Sequence, residues 1–137
     1  MGETGKPAQA ATERAAARTA VCDSEALADG GRGHVFDVLE FGRPERAFVL
    51  RFEGRVFAYL NRCAHVPAEM DWQPGEFFDA DRRHIICSIH GATYDPTSGR
   101  CTGGPAGRGR LKPLQVAEED GKVYWYPSKD IQPVSFD

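Results

Sequence analysis

Two short segments each set a thiol beside an imidazole: Cys63-Ala64-His65 and, after 21 intervening residues, Cys87-Ser88-Ile89-His90-Gly91. In extended chain, residues i and i+2 point the same way, so Cys63 and His65 can face one site while Ala64 faces away. Cys87 and His90 need a tighter bend, and Gly91 after them permits close backbone approach. Thiolates and neutral imidazoles are metal ligands, and two such pairs on facing loops can hold a two-iron, two-sulfur cluster, with Cys on one iron and His on the other. A tetrahedral Cys2His2 zinc site is the alternative. Its usual spacing separates a Cys pair from a His pair, whereas each segment here mixes the two types. A redox disulfide between Cys63 and Cys87 is the remaining reading.

A cluster held by two thiolates and two imidazoles carries two fewer negative charges than one held by four thiolates, so an added electron meets less repulsion. Potentials of mixed centres accordingly lie at about -150 to +300 mV, against about -400 mV for plant-type four-cysteine clusters. Negative charge on iron also favours protonated imidazole, so the potential should fall as pH rises through the His pKa.

The other candidate groups read more plainly. Cys22 and Cys101 are spare cysteines of the kind that act as small hydrophobes. His34 and His84 read as structural or surface residues. Arg108, Arg110 and Lys112 suit a solvated loop better than a surface steering an acidic partner. Trp72 and Phe77 fit equally well as docking residues or as a small core of their own.

The elements that must position these groups are short apolar runs separated by Gly, Pro, Asp and Asn, the pattern of many short strands. Val35–Leu39 reads as one, and 47–52 with 56–60 as a hairpin turning at Glu53-Gly54. Phe48, Leu50 and Phe52 share one face of it, as do Val56, Ala58 and Leu60. Residues 84–87 and 92–94 flank the second pair, a turn follows at Asp95-Pro96-Thr97-Ser98-Gly99, and 114–118 with 122–126 form a last hairpin. Segments 66–83 and 101–110 carry no strong period. The class is all-β, with ligands on loops.

At 137 residues the chain fits one domain, in which about two-thirds of the unfolded surface can be buried. Residues 1–18 hold no bulky apolar side chain beyond Met1 and read as a disordered or weakly helical tail, with the domain over 19–137. A net charge of -3 speaks against a nucleic-acid surface. No run approaches the ~20 apolar residues that cross a bilayer, and residues 1–20 lack the apolar core of a secretory signal. Four cysteines in such a chain suit a reducing compartment. The expectation is a soluble, cytoplasmic protein that binds neither nucleic acid nor membrane.

Taken in order, the two pairs, Ala92-Thr93-Tyr94-Asp95-Pro96, the turn Thr97-Ser98-Gly99-Arg100 and the loop Gly103-Gly104-Pro105 resemble the Rieske family over roughly residues 20–126. The resemblance implies one [2Fe-2S] cluster per chain, ligated by Cys63, His65, Cys87 and His90. It also implies three antiparallel sheets and a small cluster-binding part, about 61–107, on a larger base. Gly91, Tyr94 and Pro105 would surround the cluster, with Pro105 in a covering third loop and the Tyr94 hydroxyl donating to a ligand sulfur. His65 and His90 would form the electron exit.

Departures from the family pattern narrow the resemblance. Respiratory Rieske proteins carry an extra cysteine in each ligand loop, and the matching positions here are Ala68 and Ile89, so no such disulfide can form. Ala92 stands where those proteins place a serine that donates to the cluster. Losing a donor lowers the potential, so the lower part of the Rieske range is expected. The spacing between the pairs is several residues longer than is usual in Rieske ferredoxins. The expected role is that of a ferredoxin-like carrier serving a reductase and an oxygenase or other acceptor, with no substrate chemistry of its own. A small subunit of a larger oxidoreductase, or a zinc-stabilised module, are the alternatives. A mononuclear iron site of two His and a carboxylate is not expected, since only His34 and His84 remain, both before Cys87.

Overall fold

The computed structural model of the chain describes residues 18–104 and 109–134. Apart from Arg18, the tail expected over residues 1–18 lies outside the described residues, as do Pro105 and Arg108. Ten strands carry the described chain: β1 (Thr19–Asp23), β2 (His34–Glu40), β3 (Arg43–Phe52), β4 (Arg55–Leu60), β5 (Ile85–Ile86), β6 (Thr93–Tyr94), β7 (Cys101–Gly103), β8 (Pro113–Glu119), β9 (Lys122–Tyr126) and β10 (Ile131–Pro133). The one helical element among the described residues is a three-residue 3-10 turn, Ser24–Ala26. None is long and apolar enough to cross a membrane. The fold is all-β, as the spacing of the apolar runs predicts.

Three hairpins use one device. Phe41-Gly42, Glu53-Gly54 and Asp120-Gly121 each connect strands whose flanking residues pair directly, Glu40 with Arg43, Phe52 with Arg55 and Glu119 with Lys122. Both residues of each turn are left-handed, with φ of 51–52° and then 79–81°. This is type I′ geometry, whose twist matches that of the strands it joins. The sequence reading has the last two turns and misses the first, because Phe41 is not a turn former. Its ring stands exposed under the Lys112 ammonium, 4.9 Å away.

Seven strands form a sheet in the order β1-β9-β8-β4-β3-β2-β10, and β5-β6-β7 form a small one. The family resemblance implies three sheets; here two of them share β8. Pro113 and Leu114 pair with β4, and Gln115 to Glu119 pair with β9. The large sheet curls, for Phe36 on β2 meets Trp125 on β9, with three strands between them in the order, at 5.9 Å between ring centroids. Val38, Val49, Leu60, Val123 and Trp125 fill the inside of the curl.

The outer face of the β3–β4 hairpin is also covered. Phe48, Leu50 and Tyr59 pack there against Met70, Phe77, Ile85, Tyr94 and Leu111 from the ligand-bearing half. Ala47, Phe48, Val49 and Leu50 are all fully buried, alternating between the two cores. Burying each large side chain of this run is worth roughly 1.5–3 kcal/mol. A strand covered on both faces reads as a continuous apolar run, and the one-sided pattern expected here accounts for only half of its burial.

Segment 101–110, read as lacking a strong period, opens with β7, and Arg100 bridges to Arg110. Three residues, paired across a register shift opposite Thr93 and Tyr94, are too few to show alternation. Segment 66–83 carries only an isolated bridge, Phe78 to Ile85, and is held by hydrogen bonds of its loop backbone.

Candidate metal centre

The first loop leaves β4 and closes on itself, with the Cys63 N–H donating to Ala68 O at 2.9 Å. The second is tighter. Gly91 N–H returns to Cys87 O at 2.7 Å and Cys87 N–H reaches Ala92 O at 2.8 Å. Gly91 takes φ +80°, the left-handed conformation that closes the turn. Both thiols are drawn under the surface, at 2% and 0% exposure for Cys63 and Cys87, whereas His90 is half-buried and His65 exposed.

The sulfurs of Cys63 and Cys87 and a ring nitrogen of His90 all lie within 4.8 Å of one another. His65 is outside that compact trio. Its ring stands edge-on to that of His90, at 5.1 Å and 82°. The four donors therefore do not converge on a single point, as four ligands of one tetrahedral ion would.

The backbone N–H groups two and three positions on, His65 and Val66 for Cys63 and Ile89 and His90 for Cys87, favour the ionised sulfur. Burial opposes ionisation of Cys63. The Tyr94 hydroxyl, those two N–H groups and His90 outweigh it and bring the thiol down to about 7. Burial raises Cys87, and the neighbouring Cys63 sulfur adds to the effect. Before any metal arrives the pocket thus favours thiolate at Cys63 and disfavours it at Cys87.

Tyr94, on β6, lies 3.4 Å from the Cys63 sulfur and accepts the Ala64 N–H at 3.0 Å. The third loop closes against the second. Gly104, with φ +86°, leaves so little room that a Cβ would come within 2.7 Å of Ala92 Cα and 2.8 Å of Gly91 O. From behind, the Tyr59 hydroxyl of β4 donates to Pro96 O at 2.7 Å and pins the 95–99 turn.

Phe77 and Trp72 part company. Phe77 is fully buried and stacked on Phe48, 3.8 Å between centroids, while Trp72 is 77% exposed. Cys101 Sγ bonds Gly103 O at 3.2 Å and packs on the ligand-side core, as a small hydrophobe would. All four cysteines are free. Lys112 is engaged by Glu40 at 2.8 Å and Asp130 at 3.4 Å, which offset its charge, and Arg110 donates to Ser98 O at 3.0 Å. His84 leans on Asp79, 3.5 Å away. The sequence reading missed Asn61 and Asp71, and has Gly104 only as part of the third-loop motif. An amide ending the apolar strand β4 two residues before Cys63 was the available signal for the first.

A family model described as the Rieske [2Fe-2S] domain matches residues 17–128. The chain belongs to that family. Its cofactor is a [2Fe-2S] cluster, which takes up and releases one electron. Two buried sulfurs beside two imidazoles are the donor types such a cluster takes, so the residues fit it.

Among solved structures, the Rieske domain resembles the ferredoxin of carbazole 1,9a-dioxygenase from Nocardioides aromaticivorans IC177. The TM-score is 0.64 at 24% identity, over 81% of this chain and 98% of that one. A ferredoxin-oxygenase complex of carbazole 1,9a-dioxygenase gives 0.62 at 21% identity, over 80% and 93%. The terminal oxygenase of the same system from Novosphingobium sp. KA1 gives 0.63 at 25% identity, over 86% of this chain and 31% of its own length. No curated protein matches in sequence.

Proposed function

We propose that this Rieske domain is a ferredoxin-like one-electron carrier in which Cys63 and Cys87 hold the inner iron and His65 and His90 the outer one. The supporting observation is the gradient of exposure across the four donors, from buried sulfurs through half-buried His90 to exposed His65. When bound, the cluster supplies one reversible electron. The chain's own groups do the rest. Backbone N–H groups and Tyr94 orient the thiolates, the Gly104 turn covers the Gly91-Ala92 side, and the imidazole edges carry the exposed face. Ala92 offers no hydroxyl, which supports a potential low in the Rieske range.

The partners in this reading are a reductase and an oxygenase or related oxidoreductase. Similarity to a ferredoxin of carbazole 1,9a-dioxygenase supports the carrier role. Val66 and Ile89, next to the two His ligands, and Trp72 from the intervening segment are exposed, an apolar rim suited to a small transient contact. The free cysteines suit the cytoplasm.

Absorption and EPR spectra of anaerobically purified protein, oxidised and then dithionite-reduced, test the ligand set. A rhombic reduced signal of low average g is expected. Colourless protein holding zinc and no acid-labile sulfide overturns the proposal.

A further inference from the structure

Two polar side chains are buried among the described residues, Glu40 and Asn61. Glu40 has its cations. Asn61, 3% exposed, sits between β4 and Cys63 and uses both ends of its amide. Its Oδ1 accepts the Met70 N–H at 2.8 Å and its Nδ2 donates to Asp71 Oδ1 at 2.8 Å. The second Asp71 oxygen accepts the Gly75 N–H at 2.9 Å. Asn61 is itself tied to the sheet, its N–H donating to Arg46 O at 2.8 Å.

The Met70 peptide continues the path. Its carbonyl accepts the N–H of Ser88, the residue after Cys87, at 2.9 Å. A continuous set of hydrogen bonds therefore runs from two residues before one cysteine to one residue after the other, through protein alone. At the far end Gly75 O accepts the Gly33 N–H at 2.8 Å and moors the segment to the chain entering β2.

We propose that Asn61 and Asp71 are positioning residues that set the separation of the two cysteine loops, which is the task of the long segment between them. This rests on the reading of Cys63, His65, Cys87 and His90 as ligands. Hydrogen-bonded amide and carboxylate in a buried setting define a distance and a direction, because an unmatched partner there is penalised. Asn61→Asp would face two carboxylates across the pair and leave no donor between them. Asp71→Asn leaves one acceptor to serve two donors. The double variant N61D/D71N restores every bond. The carboxylate at 61 accepts from Met70 N–H and from the amide at 71, whose oxygen accepts from Gly75 N–H.

The test compares wild type, N61D, D71N and the double variant by reduced-state EPR, reduction potential and the rate of cluster loss to a chelator. N61D should shift the g-values and potential and lose its cluster about tenfold faster; D71N should do so less. The double variant should return all three readouts to wild type, which general destabilisation would not produce. Wild-type spectra and potential in N61D, or a double variant as impaired as N61D, overturn the positioning role. If N61D cannot be loaded, the double variant decides: loading with wild-type spectra supports the role, failure overturns it. A wild-type protein that binds no [2Fe-2S] cluster overturns the ligand reading itself.

Discussion

The Tyr94 hydroxyl bridges two atoms of the first ligand loop, accepting the N–H of Ala64 and standing 3.4 Å from the sulfur of Cys63. With an oxygen lone pair taken by that N–H, its proton is directed at sulfur. A donor to thiolate stabilises the reduced, more negative cluster. Tyr94→Phe should therefore lower the potential; a bond strengthened by about 1 kcal/mol on reduction corresponds to roughly 40 mV for one electron. Potentiometric titration of the two proteins checks this, and equal midpoints would refute it.

Gly104→Ala puts a methyl into the backbone of Gly91 and Ala92 and places a side chain at φ +86°. Both effects push the third loop off the second. Iron release to a chelator, followed by loss of visible absorbance, should quicken. An unchanged rate would show that this contact does not guard the cluster.

Glu40 is gripped by Arg62 at 2.7 and 3.1 Å and by Lys112 at 2.8 Å. The Arg62 bonds outweigh the opposing burial and, with Lys112, bring the carboxyl down to about 2 from 4.5. A depressed carboxyl stabilises the fold above its unfolded value and loses that contribution as pH falls from about 4.5 towards 2, here up to about 3 kcal/mol. Urea midpoints of the apoprotein between pH 7 and pH 3 should drop more steeply for wild type than for Glu40→Gln. Parallel slopes would remove Glu40 from the account.

Trp72→Ala and Phe77→Ala should fail in opposite ways. Exposed Trp72 contributes nothing to the core, so its loss should raise the partner's half-saturating concentration for electron transfer and leave potential and Tm alone. Phe77 fills the core against Phe48, and truncation should lower stability by about 3–5 kcal/mol. Steady-state transfer kinetics and thermal melts separate the two, and a fall in Tm for Trp72→Ala would contradict its reading as a surface residue.

The two Cys-His pairs stand out in the sequence because residue type and spacing are local, and strands whose apolar runs exceed four residues were legible for the same reason. What escaped depends on distant chain. β7 and β10 are three residues each and exist only through neighbours that a linear reading does not supply. The i, i+2 geometry assumed for Cys63 and His65 did not bring His65 into the compact trio of donors, since residues 61–69 form bends and no strand. Trp72 and Phe77, five residues apart and similar in kind, were inseparable until the stacking partner of one was known. Asn61 was not singled out because its meaning lies in Met70 and Asp71.

The fully buried run Ala47-Phe48-Val49-Leu50 separates two cores as a party wall separates two houses, with alternate residues belonging to each side. Side-chain alternation makes a one-residue slip catastrophic, since it would hand Ala47 and Val49 to the cluster side and turn Phe48 and Leu50 into the curl. The two left-handed residues of the Glu53-Gly54 turn fix the pairing of Arg51 with Val56 and of Phe52 with Arg55, and through it the count along the whole ribbon. A one-residue slip set at that tip, more than 30 positions before Cys87, would therefore exchange the contents of both cores and undo the backing on which the cysteine loops stand.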